Sequence, residues 1–221
     1  MVKSRVVETE EGIQGEFDVQ LYDQMMRRMS DKGWLGTKEI LNAGIVQGLA
    51  LEIGPGPGYL GLEWLKNTQE TSLKGLEISP VMISIAEGNA REYGLELRVQ
   101  YIEGNALEMP FDDDTFDAVF TNGSLHEWAN PVKVFDEIHR VLKPVGKYCI
   151  SDLRRDMNPL VKWFMKAVTK PKEIKPGLAS SLNAAYTVPE LNAILRESRL
   201  QGGTTKQNPM GLVITGQNTD E

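Results

Sequence analysis

Four glycines at positions 54, 56, 58 and 61 carry the strongest chemical signal in the sequence. They lie in the segment Glu52-Ile-Gly-Pro-Gly-Pro-Gly-Tyr-Leu-Gly61, after a compact apolar run over 48–53 that is typical of a buried strand. A helix is predicted over 59–67. Glycines between a strand and a helix allow positive φ and let a ligand approach the backbone closely. The free N–H groups at the helix start suit a carboxylate or a phosphate, so this loop is predicted to bind a ligand.

A carboxylate in the next predicted strand extends this interpretation. Glu77 follows Gly58 by nineteen residues and lies near the end of a strand-like run over 73–78. A carboxylate at that position can accept both hydrogen bonds from a ribose diol. The spacing therefore indicates a ligand of the adenosine type.

Two fingerprints overlap in the glycine segment and leave the ligand open. Residues 56–61 match G-x-G-x-x-G, the dinucleotide fingerprint, which is weak evidence when it occurs alone. The overlapping series Glu52-x-Gly54-x-Gly56-x-Gly58 is the alternative. A third interpretation is a structural glycine turn that binds nothing.

Strands and helices alternate around this loop. After residue 155 the alternation is interrupted by a proline-punctuated helix and loop over 156–186. Two short strands near 203–207 and 211–216 enclose Asn208-Pro209 and predict an antiparallel hairpin. The pattern predicts an α/β fold with a doubly wound, mostly parallel sheet covered on both faces. The other predicted strands cover 97–102, 116–121 and 145–153, and the other predicted helices cover 17–29, 37–43, 80–93, 131–142 and 189–199.

Composition limits the classes of function. The 221 residues include 24 basic and 31 acidic side chains, a net charge of −7, which disfavours general binding to nucleic acid or to an anionic membrane. One cysteine and two histidines disfavour a disulfide framework and a multi-histidine metal site, so no metal is expected. No signal peptide and no apolar run long enough for a membrane span is apparent, and a cytoplasmic location is expected.

Five motifs in series resemble the class I S-adenosylmethionine-dependent methyltransferases, particularly the small-molecule group called type 11. The resemblance covers about residues 48–153. It implies a Rossmann-like, seven-stranded sheet with a reversed last strand. One methyltransferase domain over 1–221 is then expected, with N-terminal helices over 1–44, a cofactor-binding core over 45–153, a lid insertion over 154–186 and a C-terminal helix and hairpin over 187–221. The motifs are Leu51-Glu-Ile-Gly-Pro-Gly-Pro-Gly58, Gly75-Leu-Glu-Ile-Ser79, Gly104-Asn-Ala106, Pro110-Phe-Asp-Asp-Asp-Thr-Phe-Asp117 and Arg140-Val-Leu-Lys-Pro-Val-Gly146.

The resemblance also implies roles for individual residues around S-adenosylmethionine and its product S-adenosylhomocysteine. Glu77 would hold the ribose hydroxyls, and Ile78 would pack on the adenine. The family usually has aspartate at the position of Asn105, whose amide oxygen can still accept from the adenine amino group. Pro144-Val-Gly146 replaces the common Pro-Gly-Gly and affects only a turn. The remaining cofactor residues implied are Glu52 at the start of the glycine segment, Gly54, Gly56 and Gly58 beside the methionine part, Ala106 at the adenine edge and Asn122 near the methionyl amino group.

Methyl transfer from a sulfonium is an in-line displacement, so alignment of the acceptor and exclusion of water matter most. His126 follows the fourth strand and is the candidate general base, with Glu127 and Asp152 as alternatives. Each of these also has a purely structural interpretation.

The lid insertion bears on the acceptor. Window 154–175 contains seven basic and two acidic residues, net +5 against −12 elsewhere. This charge predicts either a solvated helix face or a lid that prefers an anionic or amphipathic small molecule. The rival functions are an NAD(P)-dependent oxidoreductase and a non-catalytic cofactor-binding protein of the same fold, and the oligomeric state is left open.

Overall fold

The computed structural model describes residues 4–6 and 16–219, and all structural statements concern these residues. A seven-stranded sheet with strand order β3-β2-β1-β4-β5-β7-β6 forms its centre. The first five strands are parallel, whereas β7 is antiparallel to both of its neighbours. The predicted reversed last strand and C-terminal hairpin are confirmed. The strands are β1 (Gly48–Ile53), β2 (Thr71–Glu77), β3 (Val99–Glu103), β4 (Phe116–Asn122), β5 (Leu142–Leu153), β6 (Thr204–Gln207) and β7 (Gly211–Gln217).

Three of the eight described helices begin where a capping residue precedes a proline. Ser79, Asn130 and Asn158 each accept a backbone N–H of the first turn, and a proline follows each of them at the first helical position. Proline suits that position because its fixed φ is helical and its missing N–H would have no partner there. Thr187 and Glu190 form a reciprocal capping box at the last helix. The helices are α1 (Glu16–Asp31), α2 (Thr37–Asn42), α3 (Tyr59–Lys66), α4 (Pro80–Glu92), α5 (Pro131–Val141), α6 (Pro159–Val168), α7 (Lys175–Ala184) and α8 (Val188–Glu197).

The insertion after β5 differs from the single helix and loop that the sequence predicts. It contains α6, a 3-10 turn (Lys172–Ile174) and α7, so the prolines at 171 and 176 separate two helices. The 3-10 turn contacts α1, and α7 contacts a second 3-10 helix, Leu125–Glu127, which follows β4. Helix α7 is therefore connected to the edge of the sheet at which β4 ends, and the turn between α6 and α7 packs against α1.

The central strands are buried on both faces, which explains their continuous apolar runs. Leu51 of β1 belongs to a core shared with α5 and α8, and Ala50 belongs to a second core shared with α2 and α3. Because successive side chains of a strand point to opposite faces, this alternation places β1 between two helical layers. Among the described residues, no helix is both long and apolar enough to cross a bilayer.

Candidate functional site

An open cleft lies at the carboxyl ends of the parallel strands. Its floor is formed by the glycine loop after β1, the end of β2, and the loops after β3 and β4. Helix α1 contributes Tyr22 from above. Open α/β sheets bind ligands at this edge, where the strand order changes direction. Of the residues predicted from the sequence, the cleft is lined by Gly54, Gly56, Glu77, Ile78, Asn105, Ala106 and Asn122.

The glycine loop adopts positive φ at each of its first three glycines. Gly54 has φ +63°, and a Cβ there would lie 2.9 Å from Cβ of Ser124. At Gly56, with φ +52°, a Cβ would lie 3.3 Å from the ring of Tyr22. The loop thus passes closely between the β4 loop and α1, and its backbone at Gly54 and Gly56 disfavours any residue with a Cβ.

Gly58 and Gly61 serve packing and do not line the cleft. Gly58 caps α3 with φ +85°, and a Cβ there would overlap the hydroxyl of Tyr101. A Cβ at Gly61 would overlap the carboxylate of Glu52 and the side chain of Leu73. The third glycine of the G-x-G-x-x-G match therefore allows α3 to approach the sheet.

Glu77 ends β2 and is hydrogen-bonded directly to the glycine loop. Its Oε2 accepts the backbone N–H of Gly56 at 3.0 Å, and its Oε1 accepts that of Ser79 at 3.0 Å. Burial raises the pKa of Glu77, and the N–H groups of Ser79, Gly56 and Ile78 oppose that rise. The backbone N–H groups therefore hold the carboxylate in place, and its lone pairs are not all used by them.

Glu52 is placed beneath the loop and does not line the cleft. It is buried, and its Oε2 has no hydrogen-bond partner among the described residues. Burial, with a smaller contribution from the nearby Glu77, raises the pKa of Glu52 to about 8, and the N–H of Gly61 opposes this rise. The side chain is thus a buried group that carries a proton over most of the neutral range.

Glu52→Gln is expected to change stability in a pH-dependent way. The folded pKa of about 8 lies above the ordinary value of 4.5, so the folded state binds more protons and wild-type stability falls as pH rises between these values. Glutamine keeps the shape without the ionisation. We expect the variant to exceed the wild type by about 2–4 kcal/mol near pH 9 and to match it near pH 4 in chemical denaturation. An equal difference at both pH values would contradict the burial argument, and Glu103→Gln, on an exposed strand end, is the control.

The other end of the cleft is mainly apolar. Ile78 is exposed at the cleft, and Ala106 and Leu107 line the facing loop. Asn105 closes this loop, since its Oδ1 accepts the N–H of Leu107 at 2.9 Å. The exposed Ile78 side chain and the hydrogen-bonded Asn105 amide line the same cleft. An apolar side chain beside a polar group suits an aromatic heterocycle.

His126 is buried and does not line the cleft. Its backbone N–H donates to Oδ2 of Asp152 at 2.7 Å, and its ring Nδ1 lies 2.9 Å from Oδ1 of the same carboxylate. A carboxylate accepts, so Nδ1 carries the proton and Nε2 does not in the neutral ring. Nε2 lies 4.0 Å from Oε1 of Glu127, which does line the cleft. The pair fixes the 3-10 helix that presents Glu127 and Trp128 to the cleft, and the role of His126 as a base stays a prediction.

Asn122 and Tyr22 lie at the end of the cleft nearest to α1. Asn122 ends β4, and its Oδ1 accepts the hydroxyl of Ser151 at 2.8 Å. Burial raises the pKa of Tyr22, and the carboxylates of Glu127, Glu77 and Asp152 raise it further. A neutral phenol thus lies among the acidic groups of the site. The sequence provides only helical periodicity for Tyr22, which does not distinguish a cleft residue from a core residue.

Comparison with known proteins agrees with this geometry. Residues 51–150 match the family model described as a methyltransferase domain. The chain is 30% identical over 170 residues to the demethylmenaquinone methyltransferase of Lactobacillus johnsonii, covering 74% of this chain and 67% of that protein. The chain belongs to the class I S-adenosylmethionine-dependent methyltransferases.

Other similarities define how far this assignment extends. An uncharacterized methyltransferase of Bacillus subtilis is 27% identical over 144 residues, 64% of this chain and 56% of that protein. The chain therefore spans just over half the length of that relative. A solved structure of a candidate S-adenosyl-L-methionine-dependent methyltransferase from Methanococcus maripaludis superposes with a TM-score of 0.75 at 23% identity, covering 99% of this methyltransferase and 98% of that chain.

The family implies S-adenosylmethionine as the cofactor of this methyltransferase, and the residues present fit it. The loop leaves no room for a Cβ at Gly54, Glu77 retains acceptors for a ribose, and Ile78 is uncovered. The sheet argues against the dinucleotide alternative, since the dinucleotide fold has order 3-2-1-4-5-6, whereas here a reversed β7 separates β5 from β6. Within the described part of the chain, no cluster of three or more His, Cys, Asp or Glu side chains could hold a metal ion.

Proposed function

We propose that this protein transfers a methyl group from S-adenosylmethionine to a small, amphipathic acceptor by in-line displacement. The observation that carries the proposal is the Glu77 carboxylate, which is bonded to the glycine loop at the floor of an open cleft. Glu77 would bind the ribose hydroxyls, and Gly54 and Gly56 would admit the methionine part to the backbone. Ile78 with Asn105 and Ala106 would hold the adenine. When bound, the cofactor supplies an electrophilic methyl group.

The rest of the cofactor assignment is proposed on the same geometry. Asn122 would lie at the methionyl end, where Ser151 fixes its amide. Glu52 and Gly58 would act from below the loop, Glu52 through its buried carboxyl group and Gly58 by ending the turn at the start of α3. These two residues are therefore proposed to support cofactor binding without contact across the cleft.

The acceptor would enter between α1 and the lid. Tyr22, Trp128 and Val134 line the cleft and provide apolar and aromatic contact, while Glu127 provides a charged group. Trp128 is held by an edge-on contact with Phe135, with ring centroids 5.8 Å apart. Such a rim would align a flat or amphipathic molecule and exclude water from the reacting atoms. The similar protein of Lactobacillus johnsonii, which is named for a lipid-like quinone, supports this acceptor class.

A base is required only for an acceptor that must lose a proton early in the reaction. His126 would act as the base if the acceptor reaches its Nε2. Asp152 would keep the proton of the neutral ring on Nδ1, so that Nε2 can accept. Glu127 is the alternative because it lines the cleft directly.

The function test combines binding with turnover. At a concentration 100 times its dissociation constant, S-adenosylhomocysteine should raise the melting temperature by about 5–10 °C, and NAD should leave it unchanged. Cofactor with a labelled methyl group, incubated with demethylmenaquinone and with lipid-extract fractions, should then yield a labelled product. Stabilisation by NAD alone would reject the proposal. Tight S-adenosylhomocysteine binding without labelling of any fraction would favour a non-catalytic cofactor-binding protein.

A further inference from the structure

Helix α6 exposes its apolar residues to solvent. Leu160 is 75% exposed, Trp163 69%, Phe164 54% and Val168 44%, and no residue of the helix is buried. At about 100° per residue, these four side chains and Ala167 occupy an arc of about 140°. We call this surface the α6 arc. Soluble proteins rarely leave a contiguous apolar surface of this kind uncovered unless it binds something.

The other side of α6 packs against the protein, so the α6 arc is not the face by which this helix contacts the core. Val161 and Met165 are half-buried, and the side chain of Lys162 donates to the backbone oxygen of Arg155. Asn158 caps the helix by accepting the N–H of Leu160 at 2.8 Å. The orientation of the helix is therefore set by its contacts, and amphipathic helices of globular proteins normally turn their apolar face the other way.

Basic residues border the arc. Lys166 lies beside the arc on the helix. Lys170 follows the end of α6, and Lys172 begins the 3-10 turn. All three lysines are exposed. The window 154–175 has a net charge of +5 in a protein whose remainder has −12. An apolar stripe with tryptophan, flanked by lysines, is the composition of a helix that lies in a membrane interface next to anionic lipid.

We propose that the α6 arc and the lysines at 166, 170 and 172 dock on the surface of a bilayer that contains anionic lipids. Leu160, Trp163, Phe164 and Val168 lie at the boundary between headgroups and acyl chains, and the lysines lie among the headgroups. A second copy of the chain is a poorer occupant, because pairing two identical arcs would bring two clusters of positive charge together. This surface goes beyond methyl transfer, and its test does not depend on activity.

The position of α6 suggests what docking would accomplish, and this step rests on the proposed function. The 3-10 turn after α6 contacts α1, and α7 contacts the 3-10 helix that carries Glu127. Docking therefore places both sides of the cleft entrance close to the lipid surface. An amphipathic acceptor could pass from the bilayer to the cleft without crossing bulk water.

Tryptophan fluorescence tests the contact directly. Trp64 and Trp128 are buried, so Trp34 and Trp163 are the exposed reporters. Adding phosphatidylcholine vesicles that contain phosphatidylglycerol should shift the emission to shorter wavelength for the wild type and for Trp34→Phe. The shift should disappear in Trp163→Phe, although this variant still sediments with the vesicles. A shift retained in Trp163→Phe would overturn the proposal.

Co-sedimentation with the same vesicles measures affinity. Leu160→Ser combined with Phe164→Ser should weaken binding at least about 10-fold, and Lys166→Gln, Lys170→Gln and Lys172→Gln together about 10- to 100-fold. The effect of the lysine variant should fade between about 0.05 M and 0.5 M salt. Leu97→Ser is the matched control, because Leu97 is 95% exposed and lies outside the lid. These side chains are exposed, so melting temperatures should not change.

Four results would reject bilayer docking. The first is that the wild type sediments with neither anionic vesicles nor vesicles of phosphatidylcholine alone. The second is equal binding to both vesicle types, and the third is equal binding of the wild type and the Leu160/Phe164 double variant. The fourth is a wild-type dimer in analytical ultracentrifugation that the double variant dissociates, which would assign the α6 arc to self-association.

Discussion

Replacing Glu77 with alanine should weaken binding of S-adenosylhomocysteine about 30- to 1,000-fold, equivalent to about 2–4 kcal/mol. In the proposed complex, the variant would lose two charge-assisted hydrogen bonds to the ribose hydroxyls. It also releases the N–H of Gly56, which donates to Glu77 at 3.0 Å, so the loop loses part of its preorganisation. Isothermal titration calorimetry measures the affinity.

The controls separate the ribose contact from a general effect on the sheet. Glu103 ends the adjacent strand, is paired in register with Glu77 and does not line the cleft. Glu103→Ala should therefore bind S-adenosylhomocysteine as the wild type does. Glu77→Gln keeps one acceptor oxygen without the charge and should lie between wild type and alanine. Unchanged affinity in Glu77→Ala would remove Glu77 from the binding site.

Replacing Gly56 with valine should reduce S-adenosylhomocysteine affinity more than about 100-fold while the protein stays folded. Gly56 has φ +52°, and its Cβ would lie 3.3 Å from the ring of Tyr22, in the space where the loop faces the cleft. A β-branched side chain resists positive φ and would fill that space. Calorimetric titration gives the affinity, and thermal melting gives the stability.

A second glycine separates backbone strain from the loss of ligand space. Gly94 has φ +66°, no atom lies within 4 Å of a Cβ built there, and it does not line the cleft. Gly94→Val should show a similar loss of stability, about 1–2 kcal/mol, without loss of affinity. If Gly56→Val is folded and binds normally, the loop does not hold the cofactor.

Much of the fold follows from local signals that the sequence carries by itself. The strand from Gly48 to Ile53 is apolar except for Glu52, because both faces of a central parallel strand are buried. The helix at Pro80 begins where a serine accepts a backbone N–H of the first turn and a proline removes the need for another partner. This local signal does not depend on tertiary packing. The Glu77 spacing depends on the length of one strand–loop–helix–strand unit, and the reversed last strand was implied by the family resemblance.

Other features depend on contacts between distant segments, which no local pattern specifies. Glu52 and Gly58 belong to the binding motif, yet the close approach of α3 and Tyr101 places them behind the loop. His126 was predicted as a candidate general base or a structural residue after the fourth strand, and its pairing with Asp152, twenty-six residues away, buries its ring.

The insertion after β5 shows most clearly which features are local and which depend on tertiary contacts. Its basic composition and apolar stripe can be read from the sequence, and a stripe of this kind normally predicts burial. Tertiary contacts place Val161 and Met165 against the protein and leave Trp163 and Phe164 in solvent. Periodicity determines which side chains share a face of a helix, whereas the direction of that face depends on which neighbour the helix packs against. The sequence alone therefore determined most of the elements and the glycine loop, and the tertiary structure decided which side chains face the cleft, the core or the solvent.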